Sequence, residues 1–456
     1  MDALRALADG FAGEVIVPGD PAYDSARRVW NAMVDRRPAA IVRPTGPEDV
    51  LAAVRVAREA DVVIAVRGGG HSIAGLSTCD DGIVIDLSRM GGVRVDPASR
   101  TARCGGGALL AELDDAAQAV GLVCPVGVVS HTGLAGLTLG GGMGRLQRKH
   151  GLTIDNLRAV ELATADGRLV RASNDENPEL FWGLRGAGAN FGIATSFEFR
   201  LHLLEGGITQ GSVTHRLERA VELAALFRQI AMEGPNELMA TFNMGLALPA
   251  ADFPPEVAGR PIVELTVVHS GTAEEAERDL GDLRRFGPPV VDSIAVKRYV
   301  DVQHMSDQPM GWGRRFYMKS AFLPALPDEV VAVAVDHTSR IPEGCEGSIS
   351  TWAWGGAIAD VPEDGTAFTG RDAAFWIAAE AAWEDAELDE ASRAWARAFI
   401  ADVTPFAVGG RYVNDVADVG EDIAAIYGRA KQERLVALKR AWDPDNAFRL
   451  NLNVRP

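Results

Sequence analysis

Through the first 200 residues, short apolar runs alternate with stretches of helical periodicity. PAAIVRP (38–44) has the length and β-branched content of a buried strand. PEDVLAAVRVAREA (47–60) repeats its apolar positions at three- and four-residue intervals and carries acids in its first turn, which predicts a helix. VVIAVRG (62–68), GIVIDL (82–87), VRVD (93–96) and TARCGGG (101–107) read as further strands. ALLAELDDAAQAVG (108–121) reads as a helix closed by a glycine cap, and LRAVELATADGRLVRA as two strands about a turn.

From about residue 205 the pattern changes. GSVTHRL (211–217), LMATFNMGLAL (238–248), RPIVELTVVHSG (260–271) and SISTWAWGGAIADV (348–361) predict antiparallel strands, with TAEEAERDLGDLRRFG (272–287) as an intervening helix. RDAAFWIAAEAAW (371–383) alternates in the same way, and residues 421–444 predict one long amphipathic helix stopped by Asp443-Pro444. The second region is therefore expected to be an antiparallel sheet with helices against one face, beside a first α+β domain.

With 456 residues the chain exceeds one typical domain, and its apolar content of 47% suits a globular protein with a large core. A net charge of −18 argues against a nucleic-acid partner, whose phosphates need clustered Lys and Arg. The cysteines at 79, 104, 124 and 345 form no CxxC, and no His/Cys cluster has zinc-like spacing, so neither a disulfide framework nor a metal site is expected. The start MDALRALADGFAGEV is amphipathic and acidic where a signal peptide would be basic and apolar, and no apolar run reaches membrane-spanning length. A soluble cytoplasmic protein, bacterial by its Arg-over-Lys, Ala-, Gly- and Asp-rich composition, is the expectation.

Four glycine clusters stand beside predicted strands: RGGGHS (67–72), CGGG (104–107), GLTLGGGMG (136–144) and LRGAGANFGI (184–193). Glycine is favoured where φ must be positive or where backbone closely approaches another group. Together the clusters suggest a long ligand threaded between loops, with backbone N–H groups suited to a pyrophosphate. The sequence contains neither a correctly spaced GxGxxG nor a P-loop, so a different nucleotide-binding fold is needed.

RGGGHS at 67–72, GVVSHTGLAGLTLGGGMGRLQRKHGLTIDNL at 127–157, LRGAGANFGI at 184–193 and YGRAKQERLVALKRAWDPDNAFRLNLNV at 427–454 resemble the berberine bridge enzyme-like flavoproteins of the vanillyl-alcohol oxidase superfamily. The organisation is most like the branch of bacterial 6-hydroxy-D-nicotine oxidase-like proteins. The resemblance implies a two-domain α+β fold: a PCMH-type FAD-binding domain (1–205 and 405–456) interrupted by an antiparallel-sheet substrate domain (206–404).

By position, the resemblance makes His71 the residue bonded covalently to the 8α methyl of FAD, with Arg67, Gly68, Gly69, Gly70 and Ser72 around it. Gly133, Gly136, Gly140, Gly141 and Gly142 match the second cofactor loop. Asn156, Gly188, Gly192 and Ile193 match flavin-lining stretches, and Asn451 and Asn453 match a returning N-x-N. Many relatives bond the flavin a second time through a cysteine; Val129 holds that place and Cys124 lies five residues too early, so a single link is expected. His131 and His150 are read as structural.

For chemistry, a flavin accepts hydride at N5 while a side chain of tuned basicity removes an O–H or N–H proton. The resemblance places Tyr317 and Tyr412 at the substrate cavity, with Asn414 in the Y-x-N segment. Where many relatives continue with a basic tyrosine this chain has Asp415, which leaves the base open among Tyr412, Tyr317 and Asp415. Ser350 and Trp352 are expected pocket residues, with no more than one of Trp352 and Trp354 facing the pocket. Thr132, small at the position governing oxygen access in the family, favours an oxidase that reduces O2 to hydrogen peroxide. The expected substrate is a small alcohol, amine or N-heterocycle. A dehydrogenase with another acceptor and a non-catalytic FAD-binding module are the alternatives.

Overall fold

The computed structural model describes residues 11–204, 206–248, 253–418, 420 and 422–456. The amphipathic start of the chain lies outside the described residues through position 10, as does residue 421 at the head of the expected C-terminal helix.

Strands Ala40–Arg43, Ile83–Asp86 and Ile64–Arg67 pair in parallel, with Glu14–Ile16 antiparallel on the outer edge. The helix Pro47–Glu59 packs beside them. It starts at Pro47, and Asp49 accepts N–H bonds from Thr45 at 2.9 Å and Ala12 at 3.0 Å, satisfying backbone donors before the first turn. A second sheet, fully antiparallel, has the order Val93–Asp96, Thr101–Gly105, Ile193–Arg200, Leu157–Ala163, Leu169–Ser173. The first helix and every strand expected before residue 200 form within a few residues of their predicted bounds.

The third sheet is larger and antiparallel. Its central strands run in the order Ile208–Arg216, Pro261–His269, Leu238–Leu246, Glu346–Ala353, Phe375–Trp383, Arg315–Leu323. Successive side chains on a strand point to opposite faces, and this sheet uses the two faces differently. In FWIAAEAAW, Phe375, Ile377, Ala379, Ala381 and Trp383 join a buried core with helices Ala220–Glu233, Asp328–Thr338 and Asp389–Val403. Trp376 and Glu380 take the opposite face and look into a cavity.

Two expected helices are broken. Residues 272–287 divide into Ala273–Asp279, capped by Thr272 and Glu275, and Gly281–Arg285. The C-terminal helix divides at Gly428, whose φ of 77° is incompatible with a continuing right-handed helix, into Ile423–Tyr427 and Arg429–Trp442. The strand Arg315–Leu323 was not expected as an element; RFYMKSAFL carries Arg and Lys, which blur its alternation.

Candidate active site

A cavity of about 650 Å3 lies between the glycine loops and the face of the large sheet opposite its helices. One wall is nearly free of side chains. Strand Ile64–Arg67 runs into Gly68–Gly69–Gly70, which meets the turn at Gly133. A Cβ on Gly69 would overlap the backbone nitrogen of Gly133, and a Cβ on Gly133 would overlap that of Gly69. Only glycine permits this approach. Gly70 adopts φ of 73°, and the chain then presents His71 and Ser72 to the cavity. Thr132, Gly136, Gly188 and Asn451 line the same side.

These residues fit a flavin. Backbone dominates the wall, and Asn451 donates through Nδ2 to the carbonyls of Ala189 and Phe448, each at 2.9 Å, while its buried Oδ1 has no partner among the described residues. A buried acceptor left unmatched is costly unless a ligand donor completes it. The imidazole of His71 stacks on Trp30, with ring centroids 4.9 Å apart and planes 18° apart. Its Nε2 lies 2.7 Å from Nδ1 of His131. Burial, helped by the neighbouring His131 ring, pushes the pKa of His71 down to about 3, so this imidazole is neutral.

The opposite wall comes from the large sheet and from the segment after Gly410. Tyr412 is buried, and its hydroxyl oxygen accepts from the N–H groups of Gly142 at 3.1 Å and Met143 at 3.3 Å and from Asn414 Nδ2 at 3.0 Å. Burial and the nearby Asp415 carboxyl push its pKa up to about 12. Asp415 accepts from the indole N–H of Trp376 at 2.9 Å, and burial raises its carboxyl to about 7. Glu380, also facing the cavity, is raised by burial to about 7 as well. Sequence reasoning missed Glu380, although its even-numbered position shares a strand face with Trp376 and identifies it.

Tyr317 needs correction as a base or pocket residue. On Arg315–Leu323 the neighbours Phe316 and Met318 line the cavity, so Tyr317 points the other way. Its hydroxyl donates to Asp418 at 2.6 Å and accepts from Arg397 at 2.9 Å. Ser350, Trp352 and Asn414 do line the cavity, whereas Trp354 falls beyond the end of its strand and is buried against Phe322 and Phe368.

Several expected cofactor contacts are supports instead. Arg67 is buried away from the cavity and binds the carbonyls of Ala26 and Ser77. Gly140, Gly141 and Gly142 do not line the cavity; added Cβ atoms there would strike Asn414, Phe368 and Thr153 respectively, so the bareness of Gly140 admits the Asn414 side chain and that of the next two admits Phe368 and Thr153. Asn156 ties down the carbonyls of His150 and Leu152 at 2.8 and 3.0 Å. Ile193 opens a core strand with Gly192 just before it, and Asn453, outside the cavity lining, has a buried Oδ1 with no partner among the described residues. Val129 faces the cavity, while Cys124 is fully buried outside its lining. His150 stacks on His202 with centroids 3.9 Å apart, away from the cavity. His131, read as structural, is in direct contact with His71.

Comparison with known proteins agrees with this arrangement. The FAD binding domain family matches residues 38–173, and the family described as "Berberine and berberine like" matches residues 412–455. (R)-6-hydroxynicotine oxidase of Paenarthrobacter nicotinovorans is 33% identical, over 100% of this chain and 99% of its own. The crystal structure of 6-hydroxy-D-nicotine oxidase from Arthrobacter nicotinovorans superposes with a TM-score of 0.87 at 30% identity, covering 98% of each chain. Glucooligosaccharide oxidase from Acremonium strictum, described with a 6-S-cysteinyl, 8α-N1-histidyl FAD, gives 0.88 at 25% identity, covering 100% of this chain and 99% of that one. The chain belongs to the berberine bridge enzyme-like family of FAD-linked oxidoreductases, with the PCMH-type α+β fold. It is an FAD-binding oxidoreductase. Among the described residues no helix is long and apolar enough to cross a membrane.

Proposed function

We propose that this oxidoreductase is a covalently flavinylated oxidase, anchored once at His71, that oxidises a small alcohol, amine or N-heterocycle and passes the electrons to O2. Bound FAD would supply the hydride acceptor. The observation that carries the reading is the arrangement of His71 and Asp415 around one cavity, one on the backbone-lined wall and the other on the wall facing it.

Asp415 is the proposed base. A carboxyl near 7 is half ionised at neutral pH and can take a proton from substrate there, whereas a tyrosine near 12 that already accepts three hydrogen bonds is poorly suited. Tyr412 and Asn414 then hold the segment that presents Asp415. Phe316, Met318, Trp352 and Trp376 offer apolar contact to a ring, while Gln210, Asn243 and Ser350 offer hydrogen bonds to a hydroxyl or amine. Val129 in the cavity wall and Cys124 outside it support a single covalent link. Thr132, a small residue in the lining, supports O2 access.

The test is purification under denaturing conditions followed by intact mass and visible spectrum. Flavin that stays on the wild-type chain and is lost in His71→Ala is the expected result; wild-type protein that sheds its flavin overturns covalent anchoring. Oxygen consumption with substrate separates oxidase from dehydrogenase.

A further inference from the structure

The cavity wall contains a cation that the proposed chemistry does not use. Arg145 is half-buried in the lining, close to Val128 and Val129. Its Nη1 donates to Gln303 Oε1 at 3.0 Å and to the Val128 carbonyl at 3.3 Å, and its Nη2 donates to Ser306 Oγ at 3.1 Å. All three acceptors are uncharged: an amide, a carbonyl and a hydroxyl. A guanidinium has five N–H donors. The Nε–H and one Nη2–H are therefore left without a partner among the described residues, and two donors is what a carboxylate takes from an arginine.

The surroundings of Arg145 are themselves held. Buried Gln303 uses its Nε2 on Asp114 Oδ2 and on the Gly127 carbonyl, both at 3.0 Å, which turns its oxygen to Arg145. Asp307 is occupied by the N–H and hydroxyl of Ser130, at 2.8 and 2.6 Å, and by His304 Nδ1 at 2.8 Å. Burial lowers the pKa of Arg145 against the pull of Tyr299, Asp114 and Asp307, so an anion bound beside it would offset the penalty of keeping this charge out of water. Sheet order sets the cation apart from the acid end of the cavity. Leu146, the next residue, packs with Met239 and Val268, whereas Asp415 is tied to Trp376. Thr241, on the strand of Met239, pairs with Trp352, and Trp352 with Trp376. Two strand spacings, roughly 10 Å, thus separate the strand beside Arg145 from the strand beside Asp415.

We propose that Arg145 is a specificity-determining residue that holds a carboxylate of the substrate, on the order of 10 Å from the carbon oxidised beside Asp415. The inference rests on the oxidase reading above and narrows its substrate to a small alcohol, amine or N-heterocycle that bears a carboxylate on a spacer. Acids oxidised at the carbon next to their own carboxylate fall outside this class, because that carboxylate cannot span the distance. An aromatic spacer suits Trp352, which lies between the two ends.

Isothermal titration calorimetry of the purified flavin-bearing protein tests this with 4-phenylbutanoate and its neutral counterpart 4-phenylbutanamide, in wild type, Arg145→Gln and Arg145→Lys. Wild type should bind the carboxylate about tenfold tighter or more, the scale of charge-assisted hydrogen bonds. The preference should fall to about twofold or less in Arg145→Gln and be intermediate in Arg145→Lys, which keeps the charge and loses the planar fork. Flavin content and melting temperature report whether each variant folds; if Arg145→Gln does not, Arg145→Lys decides, and a preference as large as that of wild type overturns the role. Equal affinity for the two probes in wild type, no carboxylate binding at millimolar concentration, or a preference that survives in Arg145→Gln also overturns it. The oxidase reading fails separately, as an absence of oxygen consumption with carboxylate-bearing alcohols and amines whose binding calorimetry detects.

Discussion

The proposed proton transfer turns on Asp415. Its carboxyl, raised by burial to about 7, loses its proton as pH rises through that value, so kcat/KM should rise along a limb centred near pH 7. Asp415→Asn should remove that limb and slow substrate reduction of the flavin by about 10²–10⁴-fold in stopped-flow absorbance. The same shift affects stability. The folded state holds this proton more tightly than the unfolded chain, so its contribution is complete below about pH 4 and is lost as pH rises through 7. Asp415→Asn should therefore gain thermal stability relative to wild type between pH 5 and 8, measured by melting at fixed ionic strength. Residue types and motifs brought Asp415 and His71 into view from sequence; the contact of His131 with His71 joins residues sixty positions apart and left no local signal.

At the scale of elements, parity decides which residues reach the cavity. The strand pair Arg315–Leu323 and Phe375–Trp383 aligns Met318 with Glu380 on the cavity face and Tyr317 with Ala381 on the helix face. Two predictions separate these faces. Tyr317→Phe should leave the kinetic constants unchanged while lowering stability by about 1–3 kcal/mol, the scale for losing its hydrogen bonds to the charged Asp418 and Arg397, read by denaturant unfolding. Glu380→Gln should shift the activity limb to lower pH, because the charge of Glu380 helps hold the Asp415 proton. The strands of the first domain were legible because short β-branched apolar runs and glycine turns mark them sharply. Arg315–Leu323 was obscured by Arg315 and Lys319, whose side chains satisfy ion pairs with Asp389 and Asp418 at the sheet's margin.

At the scale of the molecule, the site depends on chain segments that are distant in sequence. Arg371, fully buried, makes a two-pronged ion pair with Asp155 at 2.7 and 3.1 Å and also donates to Thr366 and to the carbonyl of Ile358. Asp155 follows the second glycine loop, whereas Arg371 precedes the strand carrying Glu380, so this pair joins the two sides of the cavity. Arg371→Leu strands the buried carboxylate and should cost about 3–5 kcal/mol of unfolding free energy, as expected on breaking a buried pair. Composition marked Arg371 as nothing more than one arginine among many, since only the folded chain brings Asp155 to it. The wall around Asn451 has a further consequence, for timing. Synthesis delivers the loop holding His71 long before Asn451, so a chain stopped between them has the attachment point without the pocket to fill it. Covalent flavin would then serve as a record of completed folding: a chain ending at residue 445 should emerge colourless, even with His71 intact.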